Sequence, residues 1–136
     1  MPHIQIDYSA NLESQVLGQS LVDAVHQAAV DSGIFPVWGI RTFARAVTLY
    51  RIGNGAPDNG FVNITVRIAP GRPVALRQRI TRELFAAVLR IVDERFTRQR
   101  LGCQLEVLEF DPNVVIYQNN LANSSDPAEP VLCRTP

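Results

Sequence analysis

The chain has 136 residues, enough for one compact domain with a sizeable core. Apolar residues make up 46% and charged residues 19%, with a formal net charge of +0. That balance argues against a general nucleic-acid binder or a membrane-surface binder, since either needs a basic excess. All 13 basic residues are arginine, so lysine Schiff-base chemistry is excluded. Any amine catalysis has to use the chain's own N-terminus, while planar guanidinium groups suit a bidentate grip on carboxylates. No apolar run has the length of a bilayer span, and the N-terminus lacks a basic-then-apolar leader pattern. The expected compartment is the cytoplasm. There Cys103 and Cys133 stay reduced, and the pair forms no metal motif.

In chain order, the first strand is expected at about His3–Tyr8. Ile4, Ile6 and Tyr8 share one face by period two, and Pro2 belongs to that same face. Ser9, Ala10 and Asn11 break the run. A helix follows at about Ser14–Asp31, with Leu17, Leu21, Val25 and Ala28/Ala29 at helical spacing and Ser32-Gly33 as its stop signal. The segment Ile34–Ile40 is apolar and punctuated by turns. A second strand fits Arg41–Ile52, and Gly53–Gly60 is a loop.

A third strand spans Phe61–Ala69, and Pro70–Pro73 is a tight connection. Pro73 suits the first position of a long helix, Pro73–Arg98, whose stripe runs Leu76, Ile80, Leu84, Val88, Ile91/Val92 and Arg95/Phe96. Arg77, Arg79, Arg82 and Arg90 fall on its outer, solvated face. A fourth strand covers Cys103–Phe110. After a turn at Asp111–Asn113, Val114–Tyr117 reads as a short strand and Gln118–Pro136 as a loosely held tail.

The order repeats one unit, at about residues 2–52 and 61–110. It predicts an α+β fold in a single domain, with two β-α-β units forming a four-stranded mixed sheet and two helices on one face. The opposite face is expected to be exposed and apolar, and an exposed apolar face signals association. Subunits would then cover one another's sheets.

Pro2 is the first candidate for chemistry. Removal of Met1 would leave it a secondary amine at the end of a strand. A free α-amino group titrates at about 7.7–8.0. Burial or nearby positive charge lowers that value, and an amine poised near neutrality is a good general base. Arg41 and Arg72 both lie at connections, where sites are usually built. Arg72 also precedes the long helix, whose unpaired amides favour an anion. Phe35 and Trp38 either line a pocket or pack in the core. His3 faces away from Pro2 and reads as structural, and His26 reads as solvent-exposed. Glu106 and Glu109 show no partner and default to the surface. Asn119 and Asn120 are expected to bond to a neighbouring subunit.

Met1-Pro2-His3, Gly33–Pro36, Gly39-Ile40-Arg41, Phe61-Val62, Gly71-Arg72, Arg77-Gln78 and Gln118-Asn119-Asn120 form an ordered set. That set resembles the 5-carboxymethyl-2-hydroxymuconate Δ-isomerase family of the tautomerase superfamily, from residue 2 to about 121. The resemblance implies the double β-α-β fold, a homotrimer with an inter-subunit sheet core, and a place in homoprotocatechuate degradation. It implies that Pro2 is the catalytic base, taking a proton from the 2-hydroxy group of a carboxylated dienol and delivering one to a distant carbon. It implies that Arg41 and Arg72 hold substrate carboxylates and polarise the developing carbonyl, with no cofactor or metal. Residues 44–60 match loosely, and the Gly/Asn/Pro loop there is a candidate for shaping the pocket. Two other readings stay open. One is a relative that hydrates, dehalogenates or decarboxylates unsaturated acids, and the other is a non-catalytic trimeric binding protein.

Overall fold

The computed structural model describes residues 1–12 and 15–121. Cys133 and most of the expected tail lie outside the described residues. The elements are β1 (His3–Ser9), α1 (Gln15–Asp31), β2 (Arg41–Val47), β3 (Asn59–Ile68), α2 (Val74–Arg98) and β4 (Arg100–Glu109). Short 3-10 turns occupy Ala10–Leu12, Val37–Gly39 and Pro112–Val114. The sheet order is β2-β1-β3-β4. β1 pairs parallel with β2, β3 pairs parallel with β4, and the central β1–β3 pair is antiparallel. Each parallel pair is closed by one helical crossover, as the repeat predicts.

Period two decides the layering. Ile4, Ile6 and Tyr8 of β1 and Val62, Ile64, Val66 and Ile68 of β3 all point to the helices and are buried. Leu17, Leu21, Val25 and Ala29 of α1 meet them from above, as do Ile80, Leu84, Val88 and Val92 of α2. α1 stops where expected: the Ser32 N–H returns to Ala28 O, and Gly33 takes φ 68°. Pro73 sits just before α2, and its carbonyl accepts the N–H groups of Leu76 and Arg77. Phe96 is exposed, so the buried stripe ends at Val92. Among the described residues no helix is long and apolar enough to cross a membrane.

The structure corrects three expectations. The open face of the sheet is polar rather than apolar. Gln5 and Asp7 share it with Arg45, Asn63, Thr65, Gln104 and Glu106, leaving Phe43 and Leu108 as scattered exposed apolar side chains. The apolar content of the strands is spent on the helix side, because alternation sends Ile64, Val66, Leu105 and Val107 there. Next, β2 ends at Val47 rather than Ile52, and β4 begins at Arg100 rather than Cys103. Finally, Val114–Tyr117 is not a strand. The Asp111 side chain accepts the Asn113 N–H and opens the 3-10 turn Pro112–Val114, and no strand follows it among the described residues.

Ile6 stands at the middle of a central strand and is fully buried. Ile6→Ala is expected to destabilise the fold by about 2–5 kcal/mol, the range for deleting a large aliphatic side chain from a core. Denaturant unfolding checks this through the midpoint shift.

Candidate functional site

The register gathers one end of the sheet around Pro2. His3 lies opposite Arg41 on one side and opposite Arg67 on the other. The starts of β1 and β2 thus share an end with the last residues of β3 and β4. The connections at residues 32–40 and 69–73 open at that same end. Pro2 is buried there, and its carbonyl accepts the Arg41 backbone N–H at 3.1 Å.

The Arg41 side chain turns back over the N-terminus. Its Nη1 donates to His3 Nε2 at 3.3 Å and to Met1 Sδ at 3.3 Å. Asn119 Nδ2 donates to the same sulfur at 3.7 Å. Gly39 lies against the Met1 side chain: a Cβ there would stand 3.4 Å from Met1 Cγ and 3.1 Å from Pro36 Cγ. Met1 fills a niche bounded by Pro36, Gly39, Arg41 and Asn119.

Guanidinium is a donor only, so His3 Nε2 acts as acceptor and the imidazole is neutral in this arrangement. Partial burial of the ring, followed by the charges of Arg41, the amino terminus and Arg67, pushes its pKa below the ordinary value. Arg67 was not singled out from the sequence. Period two, together with the antiparallel pairing, is the signal that places it on the His3 face.

Arg72 follows Gly71, which holds φ 110° in the turn before α2. That left-handed conformation suits glycine. The Arg72 guanidinium stacks over the Phe35 ring with its carbon 5.1 Å from the centroid, and Nη1 reaches Ala69 O at 3.4 Å. Phe35 is itself buried, so one ring serves both as core and as a platform for the cation. Trp38 is half-buried in the Val37–Gly39 turn. The structure thus joins Pro2 to Arg41 directly and pairs Arg72 with Phe35 at the same end of the sheet.

Three minor expectations need correction. Glu109 does have partners: its carboxylate accepts the Gly71 N–H at 3.1 Å and pairs with Arg77 Nη1 at 3.3 Å. Arg77 is not simply a solvated arginine, since its Nε also donates to Arg72 O at 3.2 Å. Together they brace the turn that carries Arg72. His26 is half-buried rather than exposed, with Nδ1 2.9 Å from Thr42 Oγ1. The Gly/Asn/Pro loop lines an open cavity of ≈ 240 Å³ with Tyr50, Arg51, Asn54 and Pro57, but at the far end of β1. Seven residues of strand separate it from Pro2, or about 20 Å. Within one chain this loop lies away from Pro2.

Burial pushes the Cys103 thiol up to about 11, which disfavours its thiolate form at neutral pH. Among the described residues no three of His, Cys, Asp and Glu converge on a metal position.

The model of the 5-carboxymethyl-2-hydroxymuconate isomerase family matches residues 2–124. The chain belongs to that family. A curated relative, the 5-carboxymethyl-2-hydroxymuconate Delta-isomerase of Escherichia coli, is 27% identical over 121 residues, which cover 89% of this chain and 96% of the relative. A crystal structure of a 5-carboxymethyl-2-hydroxymuconate isomerase from Deinococcus radiodurans R1 superposes with a TM-score of 0.82 at 25% identity, covering 88% of this chain and 90% of that one. A fused 4-OT solved as an asymmetric trimer shares the fold alone. Its TM-score is 0.59 at 15% identity, with 79% and 86% of the two chains covered. This member is accordingly an isomerase of the tautomerase superfamily with the four-stranded mixed sheet and two helices of that fold.

The family member's His3 is expected to titrate below about 6.5, the ordinary imidazole value. Between its folded pKa and that value the unfolded chain binds more protons. Stability is therefore full above the unfolded pKa and is lost as pH falls through the folded one. Proton-detected imidazole titration checks the pKa. His3→Gln should flatten the stability profile in that window.

Proposed function

We propose that the mature chain, freed of Met1, ketonises 5-carboxymethyl-2-hydroxymuconate or a closely similar carboxylated dienol, with Pro2 as general base. Family membership supports the reaction class. The observation that carries the role of Pro2 is local. Pro2 leads into a central strand, its carbonyl accepts the Arg41 backbone N–H, and the Arg41 guanidinium reaches the side chain of the residue just before it.

The chemistry follows from those positions. Loss of Met1 converts the Pro2 nitrogen from an amide to a basic amine. Arg41 disfavours the ammonium form by like-charge repulsion and keeps the amine available. The amine removes the proton from the 2-hydroxyl, and the electron pair moves through the diene as the C2 carbonyl forms. The same proton is returned to the distal carbon, giving the conjugated ketone and regenerating the amine. Guanidinium groups already in place stabilise charge that moves between oxygen and carbon. Arg41 and Arg72 are the cations for that purpose, with Phe35 steadying Arg72 and Trp38 at the pocket's rim. A hydratase route would need a carboxylate beside Pro2 to position water. Glu109, at this end of the sheet, is committed to Gly71 and Arg77.

The same reading makes the protein a homotrimer, which the trimeric 4-OT structure of the same fold supports. Here the covered sheet face would be polar, so contacts such as those of Arg45 and Glu106 would be made between charges. Sedimentation equilibrium checks the assembly: three chains are expected, and a monomer overturns it.

Intact-mass measurement should find Met1 absent. A chain carrying one extra residue ahead of Pro2 acylates the nitrogen. It is expected to lose about 10²–10⁴ in turnover, the usual contribution of a general base. Ultraviolet absorbance of the dienol reads the rate. An undiminished rate in that extended chain would remove Pro2 from the mechanism.

A further inference from the structure

Two donors meet at one point beside Pro2. Arg41 Nη1 and Asn119 Nδ2 both aim at Met1 Sδ, from 3.3 Å and 3.7 Å. The direction of the Asn119 amide is set by its other end, because Oδ1 accepts the Leu121 N–H at 3.1 Å. The NH₂ group is thus the part turned toward the sulfur. Only five covalent bonds separate that sulfur from the Pro2 nitrogen, so the point lies within roughly 7 Å of it. A thioether is a weak acceptor. An amide N–H and a guanidinium N–H converging there form a better match to a carboxylate oxygen.

We propose that Asn119 is a substrate-binding residue. Once Met1 is removed, its side-chain N–H and Arg41 together hold the substrate carboxylate that adjoins the reacting 2-hydroxyl. The inference rests on the reading of Pro2 given above and adds a residue to it. Asn119 sits on the segment after β4, which crosses to the start of β1, so substrate is gripped from both ends of one chain. The two grips differ in kind. Arg41 supplies charge, while Asn119 supplies a neutral donor of fixed direction, which selects the orientation of the carboxylate. His3 leaves Arg41 free to act, because a neutral ring takes one of its N–H groups and offers no competing negative charge.

The test uses the mature, full-length protein and 5-carboxymethyl-2-hydroxymuconate. Asn119→Leu removes the donor at nearly constant size. It is expected to raise KM by roughly 10- to 100-fold, the range for a lost hydrogen bond to a charged group. Asn119→Asp keeps the acceptor for the Leu121 N–H and so preserves the turn, but sets a negative charge against the carboxylate. Its KM should rise at least as far, with the melting temperature unchanged. A KM for both variants within about twofold of the parent, while Arg41→Ala and the extended chain are impaired, overturns the role of Asn119 and leaves Pro2 in place. A readout independent of turnover is the ¹⁵N resonance of the Asn119 side chain. Fumarate should shift it in the mature protein and leave it unmoved in the extended chain. Should the enzyme fail to act on the dienol, that shift still reports the carboxylate site, and its absence overturns the site on its own.

Discussion

One register holds the N-terminal end of the sheet together: His3 opposite Arg41 on β2 and opposite Arg67 on β3. A slip of one residue in β1 would turn His3 toward the helices and Pro2 out of the core. The slip is opposed by the whole buried row of Ile4, Ile6 and Tyr8, which would be sent to the polar face. Apolar packing far from the terminus thus sets where the Pro2 nitrogen stands. The same alternation places Arg41 and Arg67 on the His3 face, whereas Arg72 is held by the turn before α2.

That end of the sheet is rich in positive charge, and the structure divides it unequally. Arg77 is tied to Glu109, and the pair stiffens the Gly71–Arg72 turn through Gly71 N–H and Arg72 O. Arg72 rests on an aromatic face and Arg41 on a neutral imidazole. Neither of the last two meets a carboxylate in these contacts. Their charge stays available to an anion, whereas the charge of Arg77 is consumed in scaffolding.

Much of this was legible from residue order. Period two in β1 and β3, four-residue spacing in both helices and Gly33 all act locally and appear where the sequence places them, while Pro73 stands one residue ahead of its helix. The repeated β-α-β order followed from those elements. What failed needed information across the chain. Glu109 looks idle until β3 pairs with β4 and brings it beside Ile68 and the turn that follows. The open face, expected to be apolar, is polar because alternation in β4 sends Leu105 and Val107 to the helices and Gln104 and Glu106 outward. Val114–Tyr117 has strand-forming residues, yet the Asp111 cap and Pro112 start a turn instead. Asn119 is expected from the sequence to bond to a neighbouring subunit; its contact with Met1 of its own chain is hidden there because it spans nearly the full length of the chain.

The absence of lysine gives the terminal position a further property. Every cationic side chain here is a guanidinium, which acylating reagents leave largely untouched near neutral pH. If Met1 is removed as proposed, the nitrogen of Pro2 becomes the sole aliphatic amine of the chain. Covalent tagging of amines reports on one place alone, and its rate against pH traces the protonation of that single atom with no background from elsewhere.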